Sequence, residues 1–379
     1  MRRLVSIADF REEARRRLPR LVFDYLDGGA EDEVTLRRNR EVFERLRLCP
    51  RPLNDVSRRD QSTQLFGSRI AMPVVIAPTG LNGLFWRDGD IALARAAAQV
   101  GIPFVLSTAS NSTIEEVAER AGGDLWFQLY IVSRSIADGL VARALSVGYR
   151  TLVLTVDVSL SGKRERDLRN RFSQPFKPSL PVLADMLRHP RWLASTLRSG
   201  APELKNLASA AAADANAQAA LLSRQMDASF SWDDLGRLRD RWPHRLLVKG
   251  LLHPDDARRA VAAGVDGVIL SNHGGRQLDG VTSPIEVLPR FTERLPVPLL
   301  VDSGFRRGSD IVKALASGAD AVLLGRATLY GLAVAGEAGV TAVLALLRDE
   351  IDRVLALLGC QSLAALGPHS LDGSGREIA

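Results

Sequence analysis

Cysteine, long apolar runs and blocks of like charge are all scarce in this chain. The two cysteines, Cys49 and Cys360, have no CxxC pair and no paired histidine, which suggests a reducing compartment and no structural zinc site. The amino terminus lacks an apolar stretch long enough for a signal peptide, so we expect none. The late segment 331–347 is apolar but interrupted by Glu337, which predicts a buried helix rather than a membrane span.

Aromatic residues make up only 6% of the chain, and no run of lysines and arginines is interleaved with them. We therefore expect no nucleic-acid partner, and the absence of clustered histidines and cysteines leads us to expect no metal. The formal net charge is +6 over 379 residues, a mild basic excess that suits acidic substrates, phosphate cofactors or an anionic membrane surface. The 46% hydrophobic content is ordinary for a globular protein with a sizeable core.

What the chain does contain is a series of eight short, nearly continuous apolar runs. They are "PVVIAP" from Pro73, "PFVLST" from Pro103, "LWFQLY" from Leu125, "TLVLTVD" from Thr151, "RLLVKG" from Arg245, "GVILSN" from Gly267, "PLLVDS" from Pro298 and "AVLLGR" from Ala321. Such runs are typical of parallel strands buried on both faces, and helix-period segments lie between most of them. The alternation predicts an α/β fold, a (β/α)₈ TIM barrel. An open doubly wound sheet is the alternative, although the first strand lacks a GxGxxG turn.

The spacing of the runs indicates two additions to a barrel core at about 73–347. One interval, from Thr151 to Arg245, is far longer than the others, which predicts an insertion after the fourth strand at about 173–229. About seventy residues precede the first strand, and "SIADFREEARRRL" predicts a helix there with Ser6 as its N-cap. We expect residues 1–379 to form one domain.

Polar residues fall at the carboxyl end of every predicted strand. In a TIM barrel these ends meet at one mouth, where the chemistry is located. They are Thr79, Ser107, Gln128, Tyr130, Thr155, Asp157, Lys249, Ser271, His273, Asp302, Ser303, Gly325 and Arg326. An unpaired lysine or aspartate in a buried strand would be costly, so the whole ring predicts a site rather than a set of solvated strand ends.

The loops after the last two strands, "DSGFRRGSD" and "GRATLYG", favour an anion. Glycines let backbone amides approach it, a helix amino terminus follows, and Arg306 and Arg326 add fixed charge. This predicts a phosphorylated cofactor. Lys249 could then hold negative charge on a reduced ring system.

The stretch "SNHGGRQLDG" places His273 and Arg276 on one tight turn at the end of a strand. This stretch, together with "LVKG", "FQLY", "LTVD" and "DSGFRRGSDIVKALA", resembles the FMN-dependent 2-hydroxy-acid oxidase and dehydrogenase family. The resemblance extends from "LPRLVFDYLDGGAEDE" to "GRATLYGLA", and "PTGLNG", "VLSTASN", "GDLWFQLY", "HPRW" and "SRQMDASF" are most similar to the bacterial members that oxidise (S)-mandelate. It implies FMN as the cofactor.

The resemblance also implies roles for individual residues. His273 is the expected base, because imidazole titrates near neutral pH, and Asp157 is expected to stabilise its charged form. Catalytic roles are expected for His273, Asp157, Tyr130, Arg276 and Lys249. Substrate-binding roles are expected for Tyr25, Tyr130, Arg164, Arg276, Gly80 and Ala109. Cofactor-binding roles are expected for Pro78, Thr79, Gly80, Ser107, Gln128, Thr155, Lys249, Ser271, Asp302, Ser303, Gly304, Arg306, Gly325 and Arg326.

The small residues Gly80 and Ala109 follow the first two strands and leave volume for a large substrate group. Glycolate oxidase carries a tryptophan where this chain has Ala109. We therefore expect an aromatic or other large (S)-2-hydroxy acid such as mandelate, with lactate as the alternative. The other alternative is that a different residue fills the volume beside Gly80 and Ala109.

The insertion mixes leucines and Trp192 with cations, a composition that suits a membrane surface. The resemblance implies that 174–216 is a membrane-binding element, that a membrane quinone takes the electrons, that the protein is a homotetramer, and that it lies peripherally on the cytoplasmic side of the cell membrane. A mobile active-site lid is the alternative for the segment, and oxygen is the alternative acceptor. A phosphate-ligand barrel without flavin is the alternative of another class.

Overall fold

The protein is described here by a computed structural model, in which residues 4–172, 180–200, 202–207 and 226–372 are described. The predicted insertion at 173–229 and the predicted membrane element at 174–216 lie partly outside these residues. The division of the chain into one domain, with its core at about 73–347, stays a prediction.

Eight parallel strands close into a barrel. They follow a two-stranded hairpin, β1 (Thr63–Leu65) and β2 (Ser68–Ile70), and are β3 (Val74–Ile76), β4 (Phe104–Ser107), β5 (Leu125–Leu129), β6 (Thr151–Thr155), β7 (Arg245–Leu251), β8 (Gly267–Leu270), β9 (Leu299–Val301) and β10 (Ala321–Leu324). Neighbours in sequence pair throughout, and the ring closes where Val322 pairs with Val74. The predicted TIM barrel is thus confirmed, and the open sheet is wrong.

Helices surround the barrel. Those of the amino-terminal extension are α1 (Ile7–Arg17), α2 (Arg20–Asp27) and α3 (Val34–Arg45). The others are α4 (Gly89–Val100), α5 (Ile114–Ala121), α6 (Arg134–Ser146), α7 (Glu165–Arg169), α8 (Leu180–Leu187), α9 (Pro190–Ser199), α10 (Trp232–Arg241), α11 (Pro254–Ala262), α12 (Pro284–Val287), α13 (Gly308–Ala316) and α14 (Arg326–Leu358). Short 3₁₀ turns cover Asn82–Leu84, Leu288–Arg290, Leu363–Ala365 and Pro368–Ser370. Ser6 caps α1 as predicted, since its hydroxyl accepts a hydrogen bond from the Asp9 amide.

The longest helix, α14, is the one helix among the described residues that is long and apolar enough to cross a membrane. Most of its apolar face is buried against the barrel and the helices beside it, as the sequence predicted for 331–347. The helix is kinked at Ala335 and Gly336, where the backbone leaves helical geometry. A side chain at Gly336 would collide with the indole of Trp86, so the glycine allows the close approach.

The hairpin β1–β2 seals the amino end of the barrel. Phe66 at its tip packs edge-on against Trp126 inside the barrel, with ring centroids 5.7 Å apart. Phe66 and Gly67 both have positive φ, which is the geometry of a tight hairpin turn. The barrel interior above it is a small apolar cluster of one or two residues from each strand. The sequence prediction placed no hairpin here.

Candidate active site

A cavity of about 840 Å³ opens at the carboxyl end of the barrel. The proposed site residues in its lining are Tyr25, Pro78, Thr79, Gly80, Ser107, Ala109, Tyr130, Arg164, Lys249, His273, Arg276, Asp302, Ser303, Gly304, Arg306, Gly325 and Arg326. Four proposed residues are outside that lining, namely Asp157, Gln128, Ser271 and Thr155. The first three are hydrogen-bonded to lining residues, and Thr155 lines a neighbouring cavity of about 210 Å³.

His273 lies between two partners at the centre of the mouth. Its Nδ1 is 3.0 Å from Oδ1 of Asp157, and its Nε2 is 3.2 Å from the hydroxyl of Tyr130. The carboxylate fixes the ring by accepting from Nδ1–H, which leaves Nε2 facing the cavity as a proton acceptor. Burial raises the pKa of Tyr130 well above its usual range, so its hydroxyl stays protonated and can donate.

The turn that carries His273 has an unusual backbone. His273, Gly274 and Gly275 all have positive φ, and the His273 amide donates to the hydroxyl of Ser271 at 3.0 Å. A side chain at Gly275 would come within 2.7 Å of the Leu36 amide nitrogen, so only glycine fits there. A histidine held in the left-handed region is costly and is typical of functional sites.

Asp157 is held ionised beneath His273. Burial alone would raise its pKa, but the charges of His273 and Lys249 outweigh burial and lower it. The neighbouring strand β7 shifts register between Lys249 and Leu251, and Gly250 at the shift has a φ of +110°. A Cβ at Gly250 would lie 2.7 Å from Cβ and Cγ of Asp157. The absence of a side chain at Gly250 therefore lets the carboxylate sit where it does.

Arg276 and Arg164 bring two guanidinium groups to the same cavity. Nη1 of Arg276 donates to the carbonyls of Tyr25 and Gly28, at 2.8 and 2.9 Å, and the guanidinium stacks over the Tyr25 ring. Burial, and next the repulsion of Arg164, lower the pKa of Arg276. An anion between the two arginines would relieve both costs, so this side of the cavity suits a carboxylate.

Lys249 is buried at the floor of the cavity. Its Nζ donates to the Ser271 hydroxyl at 2.7 Å and is 3.1 Å from Oδ2 of Asp302. Burial alone would lower its pKa, but Asp302 and Asp157 raise it, so the ammonium stays charged. A fixed cation at this depth can stabilise negative charge on a bound ring.

A second basic corner lies beside the loops after β9 and β10. Arg326 donates to the carbonyls of Leu26, Gly28 and Gly274, and its burial lowers its pKa to about 10. Arg306 lies over the Tyr330 ring, and no carboxylate pairs with its guanidinium among the described residues. These two cations, next to glycines of the same loops, suit a phosphate.

Three buried side-chain atoms beside the cavity lack a hydrogen-bond partner within the described residues, and one of them is the acceptor Oδ2 of Asp157. The other two are donors, which signals an expected ligand. They are Nε2 of Gln128 and Oγ1 of Thr155. The Gln128 carbonyl accepts from the Ser107 hydroxyl at 3.1 Å, which orients the amide and aims its NH₂ elsewhere. Buried polar groups are nearly always satisfied, so these two donors fit a ligand rich in acceptors.

The remaining wall of the cavity is apolar and small. Gly80 and Ala109 meet here, because a Cβ on Gly80 would lie only 2.9 Å from that of Ala109. Phe85, Phe172 and Met226 are among the other apolar lining residues, and Phe172 stacks on Tyr25 with ring centroids 4.6 Å apart. Gly80 and Ala109 were predicted, whereas Phe85, Phe172 and Met226 were not, because they come from segments whose approach depends on the fold.

The comparisons with known proteins agree with this geometry. Residues 14–373 match the model of the FMN-dependent dehydrogenase family. The chain belongs to the FMN-dependent dehydrogenase family. It is 57% identical to the (S)-mandelate dehydrogenase of Pseudomonas putida over 98% of this chain and 95% of that one. It is 42% identical to an L-lactate dehydrogenase of Pectobacterium atrosepticum, over 96% and 95% of the two chains.

A solved structure of the monotopic membrane protein (S)-mandelate dehydrogenase superposes with a TM-score of 0.96. The identity is 57%, and the match covers 98% of this chain and 100% of that one. The family resemblance is thereby confirmed, and the phosphate-ligand barrel without flavin is wrong. As a member of this family the protein uses FMN.

The features of the FMN-dependent dehydrogenase site fit that cofactor. Arg306 and Arg326 suit its phosphate, and the unpartnered groups of Gln128 and Thr155 suit the acceptors of its ring. Lys249 suits the negative charge of the reduced ring. The position of Gly325, whose missing Cβ would meet nothing nearer than 3.9 Å, leaves open space beside the backbone for a ligand. The individual roles stay predictions.

Two positioning features were missed in the sequence. One is Gly250, whose only sequence signal is the glycine directly after the strand lysine in "LVKG". The other is the cluster around Asp27, where Arg11 donates twice at 2.7 Å and the Tyr330 hydroxyl once at 2.7 Å. This cluster fixes α2, and with it Tyr25, against the barrel. No local pattern joins residues that far apart in the chain.

Proposed function

We propose that the protein oxidises (S)-mandelate, or a similarly large (S)-2-hydroxy acid, to the 2-oxo acid with FMN as its cofactor. The single observation that carries the proposal is the position of His273 Nε2. It faces the cavity between a protonated tyrosine and two guanidinium groups, and Nδ1 is held by an ionised carboxylate. An α-hydroxy acid offers a proton for that base and a carboxylate for those cations.

The chain's own residues have separable tasks. Arg276 and Arg164 hold the substrate carboxylate, and the protonated Tyr130 hydroxyl donates to the substrate's hydroxyl oxygen. His273 accepts a proton at Nε2, and Asp157 stabilises the positive charge that then forms on the imidazole. Bound FMN would supply the acceptor for the two electrons and for the second hydrogen that the substrate loses. Lys249 supplies the fixed positive charge at the floor.

A large substrate is favoured by the wall opposite these charges. Gly80 and Ala109 leave room that a bulkier pair would fill, and Phe85, Phe172 and Met226 provide an apolar surface for a ring. The high identity to the P. putida (S)-mandelate dehydrogenase supports the same substrate. The L-lactate dehydrogenase relative keeps lactate as the second candidate.

An anaerobic flavin-reduction screen tests this proposal. FMN-loaded protein is mixed with (S)-mandelate, (S)-phenyllactate, (S)-lactate and glycolate, and loss of flavin absorbance is followed by stopped flow. Mandelate should give the largest rate constant per substrate concentration, and glycolate the smallest. The R enantiomer of mandelate is the matched control. Faster reduction by lactate than by mandelate would establish the lactate alternative instead.

We also propose that the protein binds the cytoplasmic surface of the cell membrane peripherally and passes electrons to a quinone there. Support comes from the similarity to a monotopic membrane protein and from helices α8 and α9. Leu180, Leu187 and Leu197 on these helices are mostly exposed. Trp192 anchors α9, since its indole N–H donates to the Leu84 carbonyl at 2.8 Å. Residues 174–179, 201 and 208–216 of the predicted element lie outside the described residues.

Replacing 176–216 by a short polar linker tests the membrane proposal. The variant should remain in the supernatant after sedimentation with anionic vesicles, and it should still reduce an artificial dye. A matched control replaces the exposed Leu53 and Leu357, which are remote in sequence from the segment, with serine and should leave sedimentation unchanged. Continued sedimentation of the linker variant would support an active-site lid instead.

Two further experiments test the oligomeric state of the protein and the electron acceptor that reoxidises its flavin. We propose a homotetramer, which light scattering of the detergent-extracted protein can test. Rapid reoxidation of the reduced flavin by a short-chain quinone but not by air-saturated buffer supports the dehydrogenase. Rapid reoxidation by oxygen would place the protein with the oxygen-using members.

A further inference from the structure

A buried carboxylate behind the apolar wall has no part in the chemistry proposed above. Asp90, the second residue of α4, is completely buried. Its Oδ1 accepts from Nδ2 of Asn82 at 2.7 Å, and its Oδ2 accepts from the amide of Asn111 at 3.0 Å. Burial raises the pKa of Asp90, and hydrogen bonds from the Ser110 side chain, Asn82 and the amides of Asn111 and Ser112 oppose that rise. Its partners therefore come from two loops, with Asn82 on one and the other three residues on the next.

The first of these bonds holds the loop after β3. Asn82 donates from Nδ2 to the Thr79 carbonyl at 3.0 Å and accepts from the Thr79 hydroxyl at 3.0 Å. The turn between them contains Gly80 and Leu81, and Leu81 has a positive φ of 58°. Asn82 therefore closes a strained turn, and Asp90 fixes Asn82 in place.

The second bond holds the loop after β4. The side-chain carbonyl of Asn111 accepts from the Gly83 amide at 2.8 Å, and its NH₂ donates to the carbonyl of Glu203 at 2.8 Å. The loops are also joined directly, because the Leu81 amide donates to the Ala109 carbonyl at 3.0 Å. One carboxylate thus ties together the two loops that carry the small residues of the apolar wall.

We propose that Asp90 is a positioning residue that sets the size of the substrate pocket by fixing the spacing between Gly80 and Ala109. The inference rests on the proposed function, since it concerns the pocket for the substrate's large group. Oδ1 of Asp90 accepts a hydrogen bond from the loop after β3, and Oδ2 accepts one from the loop after β4. Both loops therefore need an acceptor atom at this position. An amide at this position would turn an NH₂ towards one of two N–H donors and release that loop.

The variant Asp90→Asn has nearly the same shape, and it replaces one carboxyl oxygen by an NH₂ that donates and carries no charge. For (S)-mandelate we expect KM to rise about tenfold, because the wall against its ring shifts. For (S)-lactate, whose methyl group does not need that volume, KM should change less than about twofold. The kcat with either substrate should change little, since His273 and Asp157 are untouched.

The matched control is Asp88→Asn, which removes an exposed carboxylate two residues away whose ion pair among the described residues is with Arg120. Asn tolerates the left-handed conformation of Asp88, so both KM values should stay at the wild-type level. Calorimetric binding of the products phenylglyoxylate and pyruvate gives a second readout without turnover. Only phenylglyoxylate should bind Asp90→Asn more weakly.

Equal losses for mandelate and lactate in Asp90→Asn would overturn the proposal, because they would indicate general damage to the fold. If that variant does not accumulate, Asn82→Ala removes this bond together with the two bonds between Asn82 and Thr79. It should show the same selective loss in protein whose FMN content, measured by flavin absorbance, equals that of the wild type. Failure of wild-type protein to be reduced by mandelate would refute the proposed function itself. That outcome is distinguishable, because the selectivity comparison uses whichever large and small acids the wild type oxidises.

Discussion

The two ends of the barrel use the same eight strands for opposite purposes. At the amino end, Phe66 of the hairpin plugs the opening by packing against Trp126. At the carboxyl end, Lys249 is buried beside a large cavity, and the side chain of Asp157 is only 12% exposed. Apolar packing at one end can offset the cost of buried charge at the other. The residues that mainly stabilise the barrel and those that line its cavity therefore lie at opposite ends of the barrel axis.

The sharpest test of this separation compares one histidine from each end. His273→Ala should slow flavin reduction about 10³-fold, because the base is lost, while FMN stays bound. His244 directly precedes β7 at the amino end and contacts Arg150. His244→Ala should leave the rate within about twofold of the wild type. Stopped-flow reduction by mandelate measures both, and a normal rate in His273→Ala would show that the base is another group.

The plug at the amino end should affect stability alone. Phe66→Ala leaves a gap against Trp126 and should lower the free energy of unfolding by about 3 kcal/mol. Denaturant melts measure the loss, and the rate of flavin reduction at low temperature should be unchanged. Leu53→Ala is the control, because Leu53 also has positive φ but is fully exposed. A changed reduction rate in Phe66→Ala would show that the two ends are coupled.

The Asp27 cluster shows that residues at the carboxyl end of the barrel also stabilise the fold. Burial alone would raise the pKa of Asp27, but hydrogen bonds from Arg11 and Tyr330 lower it to about 2, from 3.8. Because the pKa of Asp27 is lower in the folded protein than in the unfolded chain, Asp27 stabilises the fold at any pH above its unfolded pKa. The contribution is about 2 kcal/mol at pH 7. That contribution should be lost as the pH falls from the pKa of Asp27 in the unfolded chain to below its pKa in the folded protein.

Asp27→Asn should therefore be about 2 kcal/mol less stable than the wild type at pH 7, with a smaller difference in strong acid. Urea melts across that range measure it. Asp233→Asn, an exposed carboxylate at the start of α10, should cost less than about 0.5 kcal/mol. A deficit for Asp27→Asn that does not shrink in acid would mean that the cluster stabilises by packing.

The smallest expected effect concerns Gly250. Gly250→Ala should push the Asp157 carboxylate away from His273 and slow flavin reduction about tenfold, with a shifted pH–rate profile. Gly318→Ala is a matched control, since Gly318 has φ +108° but nothing within 4 Å of the added Cβ. Both variants carry similar backbone strain, so only the first should alter the profile. Equal profiles would leave Gly250 as a purely structural residue.

Much of the fold could be predicted because parallel barrel strands are local and repetitive. Each run such as "TLVLTVD" is apolar on both faces and ends in polar residues, so strand positions and the direction of the mouth followed directly. The hairpin was missed, since its strands have only three residues each, too few for a period to show. A positive φ at Phe66 could not be predicted either, because phenylalanine has no preference for that conformation.

The site residues were predicted largely through the family resemblance. The short loop "SNHGGRQLDG" joins His273 and Arg276 locally, and two glycines make that turn possible. Asp90 and Gly250 drew no attention in the sequence, because an aspartate in the first turn of a helix and a glycine after a strand are both ordinary. Their importance depends on which distant atoms they touch.

The sequence by itself determined the eight strands, the polar ring at their carboxyl ends and the family, because hydrophobic periodicity and contiguous motifs are local properties. Only the tertiary structure decided that Asp157 lies against Gly250, that Asp90 joins two loops, and that Phe66 closes the opposite end. These contacts form when chain closure brings remote residues within a few ångströms, and no short stretch of sequence records such distances.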